Sequence, residues 1–400
     1  MTSRGRGRAP VARRGPGLIL LLGLLEAFGP LSMDLYMPAL PELAASLDAS
    51  DALAQLTMSV CMLGLGVGQL IAGPLSDRFG RRPPLLVGVA VFTVFSAACA
   101  LAPAVEWLLV FRALQGLGGA AGMVVTLAIA RDLFSGAELS KMLSWLALVG
   151  ATAPIVAPVI GGQLTVVMDW RGIFLVLGGL GAVLFAAAAL WLPESLPVSA
   201  RRAGGGRSLF ADARVLLGPG PYRVVLAISA ITGIAFFSYL SMSSFVLQNG
   251  FGVSPQLFGV MFALGSLCNV VGSQANRVLV GRFSPLELYR AGIGIACIGS
   301  TLAAFSALLG WGLGPFVAGL GIYLMSTGFT LPNQNTIALD AHGDRAGSAA
   351  ALIGMASFTV GPIVSPLASA VGLKTVTLGV TMAAASAAVL VLGMTALRGK

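Results

Sequence analysis

Residues 73–83 read GPLSDRFGRRP. One acid, Asp77, three arginines, Arg78, Arg81 and Arg82, and Gly73 and Gly80 are crowded between apolar runs at 53–75 and 84–103. Each run is close to the ~20 residues that a helix needs to cross the hydrocarbon core. A short charged turn between two such runs reads as a hairpin loop at a membrane surface. Gly80 supplies the turn. Asp77 can satisfy a helix N-terminus or a neighbouring arginine. The arginines alone would follow from membrane orientation. The acid and the glycines do not, and a charge network here suits a latch that holds one conformational state.

Composition agrees. The chain has 400 residues, 57% hydrophobic and 10% charged. Soluble domains carry about 25% charged residues, so a soluble fold could not cover its own surface. A formal charge of +9 invites a nucleic-acid reading. The charges lie in short clusters between apolar runs, without an aromatic-interleaved basic domain, so no nucleic-acid partner is expected. Cys61, Cys99, Cys268 and Cys297 all fall in apolar runs, with no CxxC pair, and read as small buried residues rather than metal ligands or disulfides. His342 is the only histidine, which leaves no cluster for a metal or a catalytic triad. No cofactor and no enzymatic activity are expected. The N-terminus MTSRGRGRAPVARRGPGLILLLGLL mimics a secretory signal, but the apolar run continues to Tyr36 and more spans follow, which favours an uncleaved first helix.

Twelve windows are long enough to span: 17–39, 53–75, 84–103, 107–131, 141–166, 171–192, 223–247, 255–281, 287–309, 311–339, 346–369 and 373–397. The stretch 193–222, with its SARRAGGGRS, suits a solvated linker and divides them six and six. The expected organisation is a basic tail at 1–16, a six-helix bundle at 17–192, a linker at 193–222 and a second six-helix bundle at 223–397. With an even number of spans, every Lys and Arg except Arg112, Arg171 and Lys374 falls on the side of the termini and linker. That side is therefore expected to be cytoplasmic. Pro154 and Pro158 in span five recur at Pro362 and Pro366 in span eleven, an offset of 208 residues. A third PxxxP in the linker weakens the pattern, but matching positions suit a repeated carrier with interrupted helices.

Few residues carry chemistry. PLSMDLYMPALP, 30–41, ends the first apolar run and contains Asp34; Glu26 lies eight residues earlier. A charge at mid-membrane costs at least ~2.5–3.5 kcal/mol on insertion scales. Burial disfavours the charged carboxylate, so such a group can take up and lose a proton. Eight residues are a little over two helical turns, so both acids can face one cavity. The plainer reading is that Asp34 is solvated near the outer interface. FRALQGLGGAAGMVV, 111–125, places Arg112 in the outer part of span four. Arginine cannot lose its proton, so it needs an anion or water; Asp34 is a partner at matching depth, and snorkelling to headgroups is the alternative. Gly116, Gly118, Gly119 and Gly122 permit close helix contact and form no phosphate loop. GATAPIVAPVIGG, 150–162, puts Pro154 and Pro158 with Gly150, Gly161 and Gly162 in one helix, which can bend or seal against a neighbour. Tyr36, Phe237, Tyr239, Met242, Asn333 and Asn335 are candidate substrate contacts: an aromatic, Met-containing wall with few polar anchors suits lipophilic ligands.

These motifs resemble the major facilitator superfamily, in its 12-span drug:proton antiporter group, and most closely the Bcr/CflA bicyclomycin and chloramphenicol resistance subfamily. GPLSDRFGRRP resembles the loop 2–3 signature, RALQG the fourth-span motif, GATAPIVAPVIGG the fifth-span antiporter motif, and PLSMDLYMPALP, FSYLSMSSFVLQ and FGVMFALGS the subfamily's spans one, seven and eight. The resemblance implies an all-α polytopic membrane protein with the major facilitator fold, twelve transmembrane helices in two pseudo-symmetric six-helix bundles. It implies proton coupling at Asp34, Glu26 and Arg112, a cytoplasmic gate at Asp77, Arg78, Gly80 and Arg81, and a leak-limiting helix around Gly150, Pro154, Pro158, Gly161 and Gly162. The expected function is a proton-coupled, monomeric antiporter in the bacterial inner membrane, exporting small lipophilic drugs. An exporter of an endogenous metabolite is the alternative, and a non-transporting receptor a more distant one. Glu26 departs from the subfamily pattern, where a small apolar residue is usual.

Overall fold

The computed structural model describes residues 15–201, 222–340, 352–365 (354 and 358 aside) and 375–396. Among them no strand is formed beyond a single bridge, Val280 to Phe283. The first passage comprises α1 (Pro16–Glu26), α2 (Phe28–Asp34), a 3-10 turn (Met37–Ala39) and α3 (Leu40–Ser46). Then come α4 (Asp51–Phe79), α5 (Arg82–Ala100), α6 (Val105–Leu133), α7 (Gly136–Val167) and α8 (Trp170–Trp191). After the linker follow α9 (Tyr222–Phe245, continued by a π turn to Gly250), α10 (Pro255–Leu279), α11 (Pro285–Leu309), α12 (Leu313–Asp340) and α13 (Thr375–Ala396).

Ten of these helices are long and apolar enough to cross a membrane, and the bent first passage brings the number to eleven among the described residues. The expected eleventh span, 346–369, lies only partly within them, and Pro366 lies outside. The first span is corrected. It was expected as one helix over 17–39; it is broken, bent by 46°, and runs on to Ser46. The cause is local. A proline lacks an N–H and its ring clashes with the carbonyl four residues back. Pro30 stands four residues after Glu26, the end of α1, and Pro38 four after Asp34, the end of α2. Both acids thus sit where a proline stops a helix.

Successive passages alternate in direction. The start of α1, the turn at Gly80 and the linker share one end, the linker end. The loops at 47–50, 101–104, 168–169, 251–254 and 310–312 share the other, the distal end. Within the first six passages α4 packs on α6, α5 on α6, and α5 on α8; after the linker α11 packs on α12 and α13, and α9 on α13. The outward faces stay apolar, with Leu148 57%, Val183 65% and Ile298 64% exposed, as a surface in contact with lipid requires.

Candidate functional site

The broken first passage lies on the seam between the two sets of helices. Its irregular backbone leaves carbonyls that an unbroken helix would have used, and side chains of α9 and its π turn bind them. The Ser244 hydroxyl donates to the Met37 carbonyl at 2.6 Å and the Gln248 amide to the Pro38 carbonyl at 3.0 Å. Non-helical backbone at membrane depth is tolerated where protein covers it, as here. Asp34 is 4% exposed and makes no hydrogen bond or ion pair with a described residue. Its electrostatic neighbour is Tyr239 of α9, across the seam. Glu26 is partly buried, and its Oε2 has no hydrogen-bond partner among the described residues. The bend after Glu26 replaces the continuous two-turn helix that was expected to put both acids on one face.

Arg112 is corrected on two counts. It is fully buried, 0% exposed, so it does not snorkel. It is not paired with Asp34. Its Nη1 donates to the Ser32 carbonyl at 2.9 Å and to Gln115 Oε1 at 2.5 Å, and its Nε to the Thr57 carbonyl at 3.3 Å. The guanidinium lies over the rings of Tyr36, 4.4 Å from the centroid, and Phe174, 5.4 Å. Among the described residues its Nη2 finds no hydrogen-bond acceptor. Gln115 is fixed in turn by donating to Ser96 Oγ at 2.7 Å. The cation is thus held by carbonyl dipoles and ring faces rather than a carboxylate. Tyr36 belongs to this site: it is fully buried, with its hydroxyl 3.0 Å from Thr57 Oγ1.

At the linker end Arg81 gathers the charged loop. Its Nε donates to Asp132 at 2.9 Å, and its Nη1 to Asp77 at 2.5 Å and to Ser76 at 2.9 Å. Burial pulls Arg81 down, but hydrogen bonds and charge from Asp132 and Asp77 outweigh it and hold the guanidinium above its ordinary value. Glu194 of the linker accepts from the backbone N–H of Arg81 at 2.7 Å and of Arg82 at 3.2 Å, capping the start of α5. Gly80 has φ +96°, and a Cβ there would strike the Glu194 carboxylate. Arg78 is exposed over the Phe79 ring and outside the network.

α7 carries the proline and glycine motif along the seam. A Cβ at Gly162 would lie 2.7 Å from the Pro255 carbonyl oxygen of α10, and one at Gly259 would strike the Pro158 carbonyl. Ser266 donates to the Pro154 carbonyl at 3.4 Å. A Cβ at Gly161 would strike the Leu35 carbonyl, next to Asp34. Gly150 has nothing within 4 Å. These contacts and those of Ser244 and Gln248 all fall in the distal half.

The Major Facilitator Superfamily model matches residues 22–366. The chain belongs to the Major Facilitator Superfamily. It is similar to the "Uncharacterized MFS-type transporter YdgK" of Bacillus subtilis, 38% identical over 90% of both chains. It is 30% identical to the "Bicyclomycin resistance protein homolog" of Haemophilus influenzae, covering 89% of this chain and 90% of that one. It is 32% identical to the "Chloramphenicol resistance protein" of Pseudomonas aeruginosa, covering 74% and 69%. These relatives bear out the resemblance to the Bcr/CflA type. Among solved structures the nucleoside transporter NupG superposes with a TM-score of 0.81 at 13% identity, covering 95% of this chain and 99% of that one. At that identity the likeness shows the fold, the major facilitator fold. The chain is a multi-pass membrane transporter and not an enzyme.

Other candidates are placed less centrally in this superfamily chain. Phe237 and Met242 are buried inside the helix packing, and Tyr239 stacks on Phe262, centroids 5.6 Å apart. Asn333 is buried and donates to Asn276 Oδ1 at 2.6 Å. Asn335 lies in α12, and its side chain is outside the described residues. Sequence reading missed Asp132, Glu194, Gln115 and Thr57. Asp132 and Glu194 stood in RDLF and LPESLP as acids just past apolar runs, a legible signal; Thr57 acts through its carbonyl as well as its hydroxyl, which no sequence pattern marks.

Proposed function

We propose that the chain is a proton-coupled antiporter that exports small lipophilic drugs or antibiotics across the bacterial inner membrane by alternating access. The termini and linker are cytoplasmic, and the chain acts as a monomer of two bundles, 17–192 and 223–397. The observation that carries the reading is Asp34: a buried carboxyl at a helix break on the seam, with no hydrogen bond or ion pair to a described residue, and in electrostatic interaction with Tyr239 of the other bundle. A group so placed changes charge at the surface where the two bundles must part, so protonation and substrate can bias opposite states. The relatives named for bicyclomycin and chloramphenicol resistance support the substrate class. Arg112 stabilises the carbonyls beside Asp34, Glu26 adds a second acid, and the Asp77, Gly80 and Arg81 loop forms the cytoplasmic gate, with Arg78 beside it. The seam contacts at Gly162 and Gly259 seal the outer side, with Gly161, Pro154 and Pro158 shaping that helix. The test is accumulation of chloramphenicol, bicyclomycin, a sulfonamide, ethidium and cysteine in pump-deficient cells, with and without a protonophore. Lower accumulation of a drug, cancelled by the protonophore, is expected. Lower accumulation of cysteine alone would replace drug export by metabolite export.

A further inference from the structure

A cleft of about 250 Å³ lies in the second bundle, walled by α10 and α12 with Tyr239 of α9 on its floor. The two walls meet below it, toward the linker end. There a Cβ at Gly272 would strike the Met325 carbonyl, and one at Gly328 the Ser273 backbone. Above this crossing the helices part, and the space between them is the cleft. Its lip carries Leu264, 55% exposed, and Ala318, also exposed, apolar side chains of the kind a lipid-facing surface presents. The cleft therefore opens sideways into lipid rather than along the transport axis. Met261 and Met325 line it, and flexible thioethers adapt to varied shapes.

The floor is not purely apolar. The Tyr239 hydroxyl sits 3.3 Å from where a Gly265 Cβ would be, and it bonds to no described residue. An acyl chain would leave that hydroxyl unsatisfied, whereas a compact lipophilic molecule with one polar group would pair with it. Drug-sized sites run from about 300 Å³, so the cleft takes a small molecule or the lipophilic end of a larger one. Tyr239 lines the cleft and interacts electrostatically with Asp34 across the seam.

We infer that this cleft is a substrate subsite entered from the bilayer, binding the lipophilic body of a transported compound with the Tyr239 hydroxyl as its hydrogen-bonding contact. It rests on the export reading for its physiological ligand. The side chain that would bind the occupant, Tyr239, is also the one that interacts electrostatically with the seam acid. The ligand class is a compact aromatic or alicyclic molecule carrying a single hydroxyl, amide or carbonyl.

The test uses the full chain in liposomes and a trifluoromethyl-phenyldiazirine bearing one hydroxymethyl group, photolysed and mapped by peptide mass spectrometry. Adducts are expected to concentrate on 261–268 and 317–325 and to fall when an excess of 4-trifluoromethyl-benzyl alcohol is present. Ala318→Trp, at an exposed position where folding is not at stake, should block the mouth and remove them. Tyr239→Phe keeps the ring and should weaken the competition about five- to tenfold. Adducts spread over every lipid-facing helix, or indifferent to the competitor, overturn the subsite. If wild type exports a drug while adducts scatter, the subsite falls and export stands. If adducts map to the cleft while wild type exports none of the drugs, the export reading falls and the cleft stands as a binding site for a lipophilic ligand that is not an exported drug.

Discussion

Replacing Gly162 by alanine should open the distal side of the seam. The added Cβ would lie 2.7 Å from the Pro255 carbonyl oxygen and 3.0 Å from the Gln256 Cα. Both are backbone atoms and cannot swing aside, so α7 and α10 must separate. Overpacking of this kind costs about 1–3 kcal/mol. The cost falls on the state in which the contact is made. If transport parts the bundles at this end, the open state does not bear it, and the open-to-closed ratio rises by roughly 5- to 150-fold. Spin labels at Leu101 and Leu309, exposed at the distal ends of α5 and α11, would read the shift as growth of a longer distance. Gly150→Ala is the internal control, since nothing lies within 4 Å of it. Gly161→Ala is a second contrast: its clash is with Leu35 of the same bundle, so it should lower stability without favouring the open state. An unchanged distance distribution in folded Gly162→Ala, or an equal shift in Gly150→Ala, would refute the reasoning.

Three further outcomes are expected. Arg112→Met should abolish transport and lower the thermal midpoint in detergent, because Gln115 and the Ser32 and Thr57 carbonyls lose their donor at about 1–3 kcal/mol for each buried group left unpaired; Arg112→Lys should keep the charge yet lose the planar contact over Tyr36, and fall between the two. Gly80→Ala should destabilise the linker-end loop, since alanine at φ +96° is strained and its methyl strikes Glu194; slower protease cleavage in the linker than in wild type would contradict this. Asp132→Asn should loosen that loop more than Asp77→Asn, because the Asp132 side chain is 18% exposed and that of Asp77 is 44%; hydrogen exchange at the start of α5 would rank them.

The fold was largely legible because a membrane helix announces itself in length and hydropathy. The boundaries of α6 and α11 lie within two residues of the apolar windows, whereas α4 runs past its window through the charged motif to Phe79, so that the turn read over 73–83 is confined to Gly80 and Arg81. The first passage was harder. Hydropathy carried Glu26 and Asp34 inside one run, and only the offset of four residues to Pro30 and Pro38 reveals that each closes a helix. The partner of Arg112 was misjudged for a related reason. Depth along a sequence says which charges can meet, but ring faces and backbone carbonyls solvate an arginine without leaving any charge to count. Asp77 and Arg81 were legible as a network, while Arg78, equal to them in sequence, points outward. Contacts across the seam, such as Gly162 with Pro255, join residues too far apart in the chain for any local pattern to pair them.

The most direct test of the central claim is drug-driven proton movement by Asp34→Asn in proteoliposomes holding a pH-sensitive dye, beside wild type at equal protein density. The substrate is whichever drug wild-type cells export. The account predicts that the drug moves protons through wild type and that Asp34→Asn moves none while still binding the drug. Proton movement of wild-type size through Asp34→Asn would contradict it and pass the role to Glu26.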